Sequence, residues 1–316
     1  MDINAQVDMD YSLAYQGIYG VEQNDGTMMF KTMTSDKARE TISGISQIGD
    51  MQITNEGENY KSDSRMATYN TEFNWEKWTN GITITEEERD DRIVSAKLSE
   101  ARYLLISGKR TINQHTLDLF NYAFTAQSSL PNHLTFYGDG VPFCSTLHPV
   151  KGTGGTQSNA SATGLPLTAN NLQAAKIALG RQTGDRGELL RYGSSNLILL
   201  VPDALEDEAI RITKSKLRPG TANNDVNIFD GASITVVSTK LIGAGATNGS
   251  DTQWFLIDSM FSPCIFGERR PLTIGAPYMD DGNKNITVDI SARYKIGPRD
   301  FRGVWGSKGD GASYSS

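Results

Sequence analysis

Tyr137-Gly-Asp-Gly-Val-Pro-Phe-Cys-Ser-Thr-Leu-His148-Pro149 is the most tightly constrained stretch of this 316-residue chain. Gly138-Asp139-Gly140 carries the residues of a tight turn, because glycine reaches positive φ freely and aspartate bonds back to nearby backbone. Pro142 and Pro149 fix φ on either side. Between them, Cys144 and His148 set a thiol and an imidazole close together, as a nucleophilic hydrolase would. In catalytic cysteine sites, however, the base usually arrives from elsewhere in the fold. The prolines and Phe143 predict a rigid packed turn instead, and neither residue is assigned a catalytic role.

Working towards the C-terminus, Lys151-Gly-Thr-Gly-Gly-Thr156 opens a flexible loop and lacks the closing Gly-Lys-Ser/Thr of a phosphate-binding loop. From Leu167 helices and strands alternate. Leu172, Ala175 and Leu179 predict a helix closed by Gly180, and Leu197–Val201 a buried strand ended by Pro202. The next helix has Glu206, Asp207 and Glu208 in its first turn and Arg211, Lys214 and Lys216 towards its end, matching the helix dipole. Ser233–Val237 and Trp254–Ile257 read as strands. Gly243-Ala-Gly245 follows the first of them without a helix behind it, so a dinucleotide fingerprint fails. Asp280-Asp-Gly-Asn-Lys284 lacks the ligand spacing of a calcium loop and reads as a hairpin turn before the alternating strand Ile286, Val288, Ile290.

Towards the N-terminus, Leu117, Phe120 and Phe124 follow Thr111 and Gln114, which have the spacing of a capping box. Val94, Leu98, Ala101 and Leu105 form one apolar helical stripe, so either two helices meet at Gly108 or one long helix passes through it. Glu86-Glu-Glu88 opens a helix after the alternating strand Gly81–Thr85. Residues 51–80 mix charge with Tyr60, Tyr69, Phe73, Trp75 and Trp78 and have few aliphatic neighbours; such rings bury against another surface. The first fifty residues, with Tyr11, Tyr15, Ile18 and Tyr19 scattered among polar residues, read as an arm packed on something else.

Charge narrows the function classes. The net charge is -7, and residues 1–100 hold 19 acidic and nine basic side chains, a balance of -10 that leaves +3 for the rest. There is no basic stripe of the kind that neutralises phosphates in a nucleic-acid reader. Two cysteines without a CxxC pair, and three scattered histidines, suggest neither a disulfide framework nor a metal site. No cofactor is expected. No stretch reaches the ~18–20 apolar residues of a membrane helix. The acidic start Met1-Asp-Ile-Asn4 does not read as a signal peptide, which predicts a soluble protein that stays where it is made.

The 137–149 stretch is similar to the "DGxPLFSxxHP" segment of HK97-fold phage major capsid proteins, especially the Mu-like major head subunits. The order after it also resembles theirs: a Ser/Asn-rich loop, Leu167-Thr-Ala-Asn-Asn-Leu172 opening a helix, Asp185-Arg-Gly-Glu188, Leu199–Glu206, Ile234–Val237, Trp254–Ile257 and Asp300-Phe-Arg-Gly303. The likeness covers about residues 55–306. It implies an α+β, HK97-like fold divided into an N-arm (1–50), an E-loop (51–85), a P-domain with the spine helix (86–166), an A-domain (167–280), and P-domain return strands with a C-terminal tail (281–316). Tyr60, Lys61, Arg65, Tyr69, Phe73, Trp75 and Trp78 would then be subunit-interface residues of the E-loop.

The same resemblance implies a structural protein and no enzyme, assembling through pentamers and hexamers of itself into an icosahedral shell around the phage genome. DNA would be enclosed without sequence-specific binding, which suits the acidic balance. The resemblance further implies a separate scaffolding protein or a processed N-terminus, portal and decoration partners, assembly in the host cytoplasm and residence in the virion. Lys61 and the asparagines match no isopeptide cross-linking site, and none is assigned. An encapsulin-type nanocompartment is the alternative on the same fold, and a cytosolic Cys/His hydrolase the alternative from another class.

Overall fold

The computed structural model describes residues 29–46, 48–90, 94–190, 192–193, 196–217, 226–230 and 233–313, with backbone alone at 45 and 94–102. The chain runs through β1 (Lys31–Thr34), β2 (Arg39–Ile45), β3 (Ala67–Asn74) and β4 (Glu76–Ile84) into two helices, α1 (Glu86–Asp90) and α2 (Val94–Asn121). After the short pair β5 (His148–Pro149) and β6 (Thr156–Gln157) come α3 (Ala169–Gly180), β7 (Leu197–Pro202), α4 (Glu206–Lys214), β8 (Ile234–Thr239) and β9 (Trp254–Asp258). The last strands are β10 (Cys264–Ile274), β11 (Tyr278–Met279), β12 (Ile286–Pro298) and β13 (Val304–Ser307).

Two main sheets result. In the first, β12 is the hub, antiparallel to β4, β10 and β11, while β1 lies parallel to β10. The second has the order β13-β9-β7-β8, with β7 and β8 parallel. Strand β7 is buried along its whole length because it has a core on each face. Ile198 and Leu200 join Phe255, Ile257, Leu117, Phe120 and the β12 residues Tyr294 and Ile296; Leu197, Leu199 and Val201 join Trp254, Leu256 and the inner faces of α3 and α4. Alternation sends successive side chains to opposite faces, so one continuous apolar run serves both cores. Each such side chain contributes about 1.5–3 kcal/mol by burial.

A single helix, α2, passes through Gly108. The helix crosses the first sheet so closely there that a Cβ would come within 2.9 Å of Ile290 Cδ1 and 3.0 Å of the Leu272 methyls. Close packing outweighs the ~1 kcal/mol a helical glycine costs. The predicted box at Thr111 and Gln114 is not a cap, since it lies in mid-helix and the Thr111 hydroxyl donates to Ser107 O at 2.8 Å. A reciprocal box does open α1: Thr85 N–H donates to Glu88 Oε2 at 3.1 Å and Glu88 N–H donates to Thr85 Oγ1 at 3.3 Å. Of the predicted stripe, Leu105 is buried; the side chains of Val94, Leu98 and Ala101 lie outside the described residues.

Strand pairings run across three of the expected segments. Residues 1–28 of the expected arm, with Tyr11, Tyr15, Ile18 and Tyr19, lie outside the described residues, while 29–45 packs on its own subunit. Met29 is fully buried in the main core, β1 extends the first sheet, and β2 forms a two-stranded ribbon with β3. The expected loop of 51–85 is therefore built differently: the ribbon strands are β2 and β3, the connection between them is 46–66, and β4 already belongs to the first sheet. Lastly, β10 and β11 fall within the expected 167–280 unit yet pair with β12, whereas β13 from the tail pairs with β9. Alternation marks a strand without naming its sheet, which pairings of high sequence separation decide.

Candidate assembly site

The stretch 137–149 is a knot that fixes the geometry between the two sheets. His148 is buried, with Nδ1 2.6 Å from Asp139 Oδ2 and Nε2 3.1 Å from Asn159 Oδ1, and its ring lies flat on Phe301 at 3.9 Å. Asn159 donates its two amide protons to Phe143 O (2.8 Å) and Phe301 O (3.0 Å), so its oxygen faces His148 and the Ser145 N–H. Both imidazole nitrogens thus face oxygen acceptors, and no lone pair is presented to a thiol. Cys144 lies under Gly306, and burial pushes its thiol well above the ordinary range. This geometry gives no support to a Cys/His hydrolase. Beside the knot, the buried Arg302 donates to Thr183 O at 2.8 Å and pairs with Asp185 and Asp300, each at 3.1 Å. The 137–149, 185–188 and 300–303 stretches, far apart in sequence, meet here.

From this knot the connection 46–66 projects, held at its base and bare beyond it. Ser46 N–H donates to Met66 O and Met66 N–H to Ser46 Oγ, both at 2.9 Å. Arg186 pairs with Asp63 and donates to Ser64 O, and the Gly49 N–H reaches Asp63 Oδ2 at 2.9 Å. The guanidinium first, and then the backbone N–H groups, hold the Asp63 carboxyl down at about 2. Past these ties, Met51 and Ile53 are almost wholly in solvent and Tyr60 is 98% exposed. Exposed apolar side chains grouped on one projection mark a contact surface.

The seven expected interface residues divide accordingly. Tyr60, Lys61 and Arg65 lie on the bare connection. Tyr69 is half-buried, edge-on to Tyr137 and beneath Lys151 Nζ, at the ribbon's root. Phe73 (0% exposed) and Trp75 (7%) form a small core with Ile265, against Met33 and Ile42, and Trp75 Nε1 donates to Lys37 O at 2.9 Å. Trp78 packs on His115, His133 and Tyr294. Their own subunit buries Phe73 and Trp75 and half-buries Trp78. For Phe73 and Trp75 the expected lack of a local core is corrected, because Met33 of β1, Ile42 of β2 and Ile265 of β10 supply aliphatic cover from distant parts of the chain.

A second exposed apolar surface lies on the α3 side of the second sheet, where a hollow of about 680 Å³ is lined by Ile177, Leu189, Tyr192 and Ile228 among others. Leu189 and Ile228 are well exposed. The isolated Leu189 and Ile228, outside any periodic run, gave the sequence reading no signal for this surface.

With this geometry in place, comparison with known proteins is direct. A family described as "Phage capsid protein" matches residues 69–307, and the chain belongs to that family. No curated protein matches it. Among solved structures, one from Mycobacterium phage Patience superposes with a TM-score of 0.55 at 13% identity, covering 100% of this chain and 90% of that one. The bacteriophage PhiM1 mature capsid gives 0.54 at 13% identity over 90% and 86%. The capsid of a native GTA particle gives 0.53 at 11% identity over 95% and 93%. The fold is the α+β, HK97-like fold of phage capsids, and the protein is a major capsid protein: a structural, self-assembling component of the virion shell and no enzyme. The match is to phage capsid proteins as a family, without the narrower Mu-like subtype.

Proposed function

We propose that the protein closes into an icosahedral shell of pentamers and hexamers around the packaged genome, with the connection 46–66 laid on a neighbouring subunit as the E-loop. In this reading the unit of α3, α4 and β7–β9 is the A-domain at the capsomer axis, and α2 with the first sheet is the P-domain. Tyr60, Lys61, Arg65 and Tyr69 contact the neighbour. The single observation that supports it is the connection itself: it is anchored at its root and exposes Met51, Ile53 and Tyr60 beyond it. A symmetric ring repeats such a head-to-tail contact at every copy. A scaffolding protein, portal and decoration proteins complete the assembly in the host cytoplasm, and DNA is enclosed without being read.

Purified protein imaged by negative-stain electron microscopy, with and without a scaffolding partner, tests this. Closed particles or capsomer rings are expected. Monomers alone at all concentrations and ionic strengths would contradict it.

A further inference from the structure

Around Trp78 the structure gathers several titratable side chains. His115, on α2, lies flat on His133, from the segment after that helix, with ring centroids 3.8 Å apart and planes within 8°. His115 Nδ1 meets the Tyr294 hydroxyl of β12 at 2.7 Å, and His133 Nε2 meets Asp118 Oδ2 of α2 at 3.0 Å. Trp78 of β4 stands edge-on to His115 at 4.7 Å and stacks on Tyr294 at 6.1 Å. Its indole N–H is buried without a hydrogen-bond partner among the described residues, and the side chain is held by packing against these rings and the main core. The long helix, the segment carrying His133 and two strands of the first sheet are tied at this one point.

The close ring packing of this cluster suits a neutral His115. Burial raises the Tyr294 phenol, so its hydroxyl keeps its proton, and it shares with His115 Nδ1 a hydrogen bond whose donor follows the imidazole tautomer. A second proton on the His115 ring sets a half-buried cation against a second imidazole at stacking distance. Asp118 favours a cation at His115, but its oxygens are already engaged by His133 Nε2 and, at 3.1 Å, by Asn121 Nδ2. On β12, Arg293 and Lys295 flank Tyr294; Lys295 Nζ is drawn to Asn132 O and feels Glu76, the cross-strand neighbour of Tyr294. Burial, and then His133, push His115 down to about 4.

We propose that the His115–His133 stack is an acid-released latch between the long helix and the first sheet, closed while His115 is neutral and opened when it takes up a proton. The sign follows from linkage. An imidazole titrates near 6.5 when unfolded, so between about 6.5 and 4 the unfolded chain binds the extra proton. The latch contributes fully above that window and its contribution is lost as pH falls through it. This device belongs to a single subunit and holds whether or not the shell reading does.

The chain has only three histidines, so ring-labelled histidine NMR of the unassembled full-length subunit resolves each one. Between pH 7.5 and 3.5, the signal missing from His115→Gln should titrate near 4, and wild-type tryptophan emission should change with the same midpoint. Trp78→Phe should abolish most of that emission change while leaving the histidine titration in place, a readout that stands if His115→Gln fails to fold. A His115 midpoint near 6.5, or an emission change that persists in Trp78→Phe, would overturn the latch.

Discussion

His148 shows how a residue that looks catalytic serves to hold backbone. Removing it in His148→Ala leaves Asp139, itself buried, facing a hole without its partner. Breaking a buried pair on one side costs about 3–5 kcal/mol, which denaturant unfolding should register as a fall in midpoint at unchanged slope. Cys144→Ala should be milder, about 1 kcal/mol, with particles still forming, because the thiol acts there as a small buried hydrophobe. The structural role of both residues was legible from Pro142 and Pro149. Asn159 and Phe301, which complete the knot, were not, because nothing local marks an asparagine or a phenylalanine as the partner of a histidine 11 or 153 residues away.

Among the elements, the ribbon of β2 and β3 and its connection separate two kinds of aromatic residue that composition alone had merged. Trp75→Ala should destabilise the subunit by about 3–5 kcal/mol, the cost of emptying a packed core position. Tyr60→Ala should leave thermal unfolding of the subunit within about 0.5 kcal/mol, as exposed substitutions do, and should lower particle yield in light scattering. Arg186→Ala tests the root of the connection. Asp63 would lose the partner that depresses its carboxyl, and its titration should move up from about 2 towards the ordinary range. The depressed carboxyl favours the folded root above its ordinary pKa, and that contribution is lost as pH falls towards 2. An unmoved Asp63 titration in Arg186→Ala would show that the backbone N–H groups alone set it.

For the whole molecule, the succession of elements was legible and their sheet membership was not. The continuous apolar runs at Leu197–Val201 and Trp254–Ile257 and the alternating run at Ile286–Ile290 each became a strand, and the acidic start of α4 fell where the dipole places it. Sheet membership depended on pairings such as Val304 with Ile257 and Lys31 with Ile265, which no local pattern encodes. The same limit explains the rings at 73–78, whose cover comes from both ends of the chain. Residues 48–62 are bare after folding, and the proposed shell assigns them to a neighbour. Amide exchange compared between free subunits and assembled particles tests that assignment most directly. The account predicts that residues 48–62 exchange fast in free subunits and are strongly protected in particles, while 67–84 are protected in both; equally fast exchange of 48–62 in the two states would contradict it.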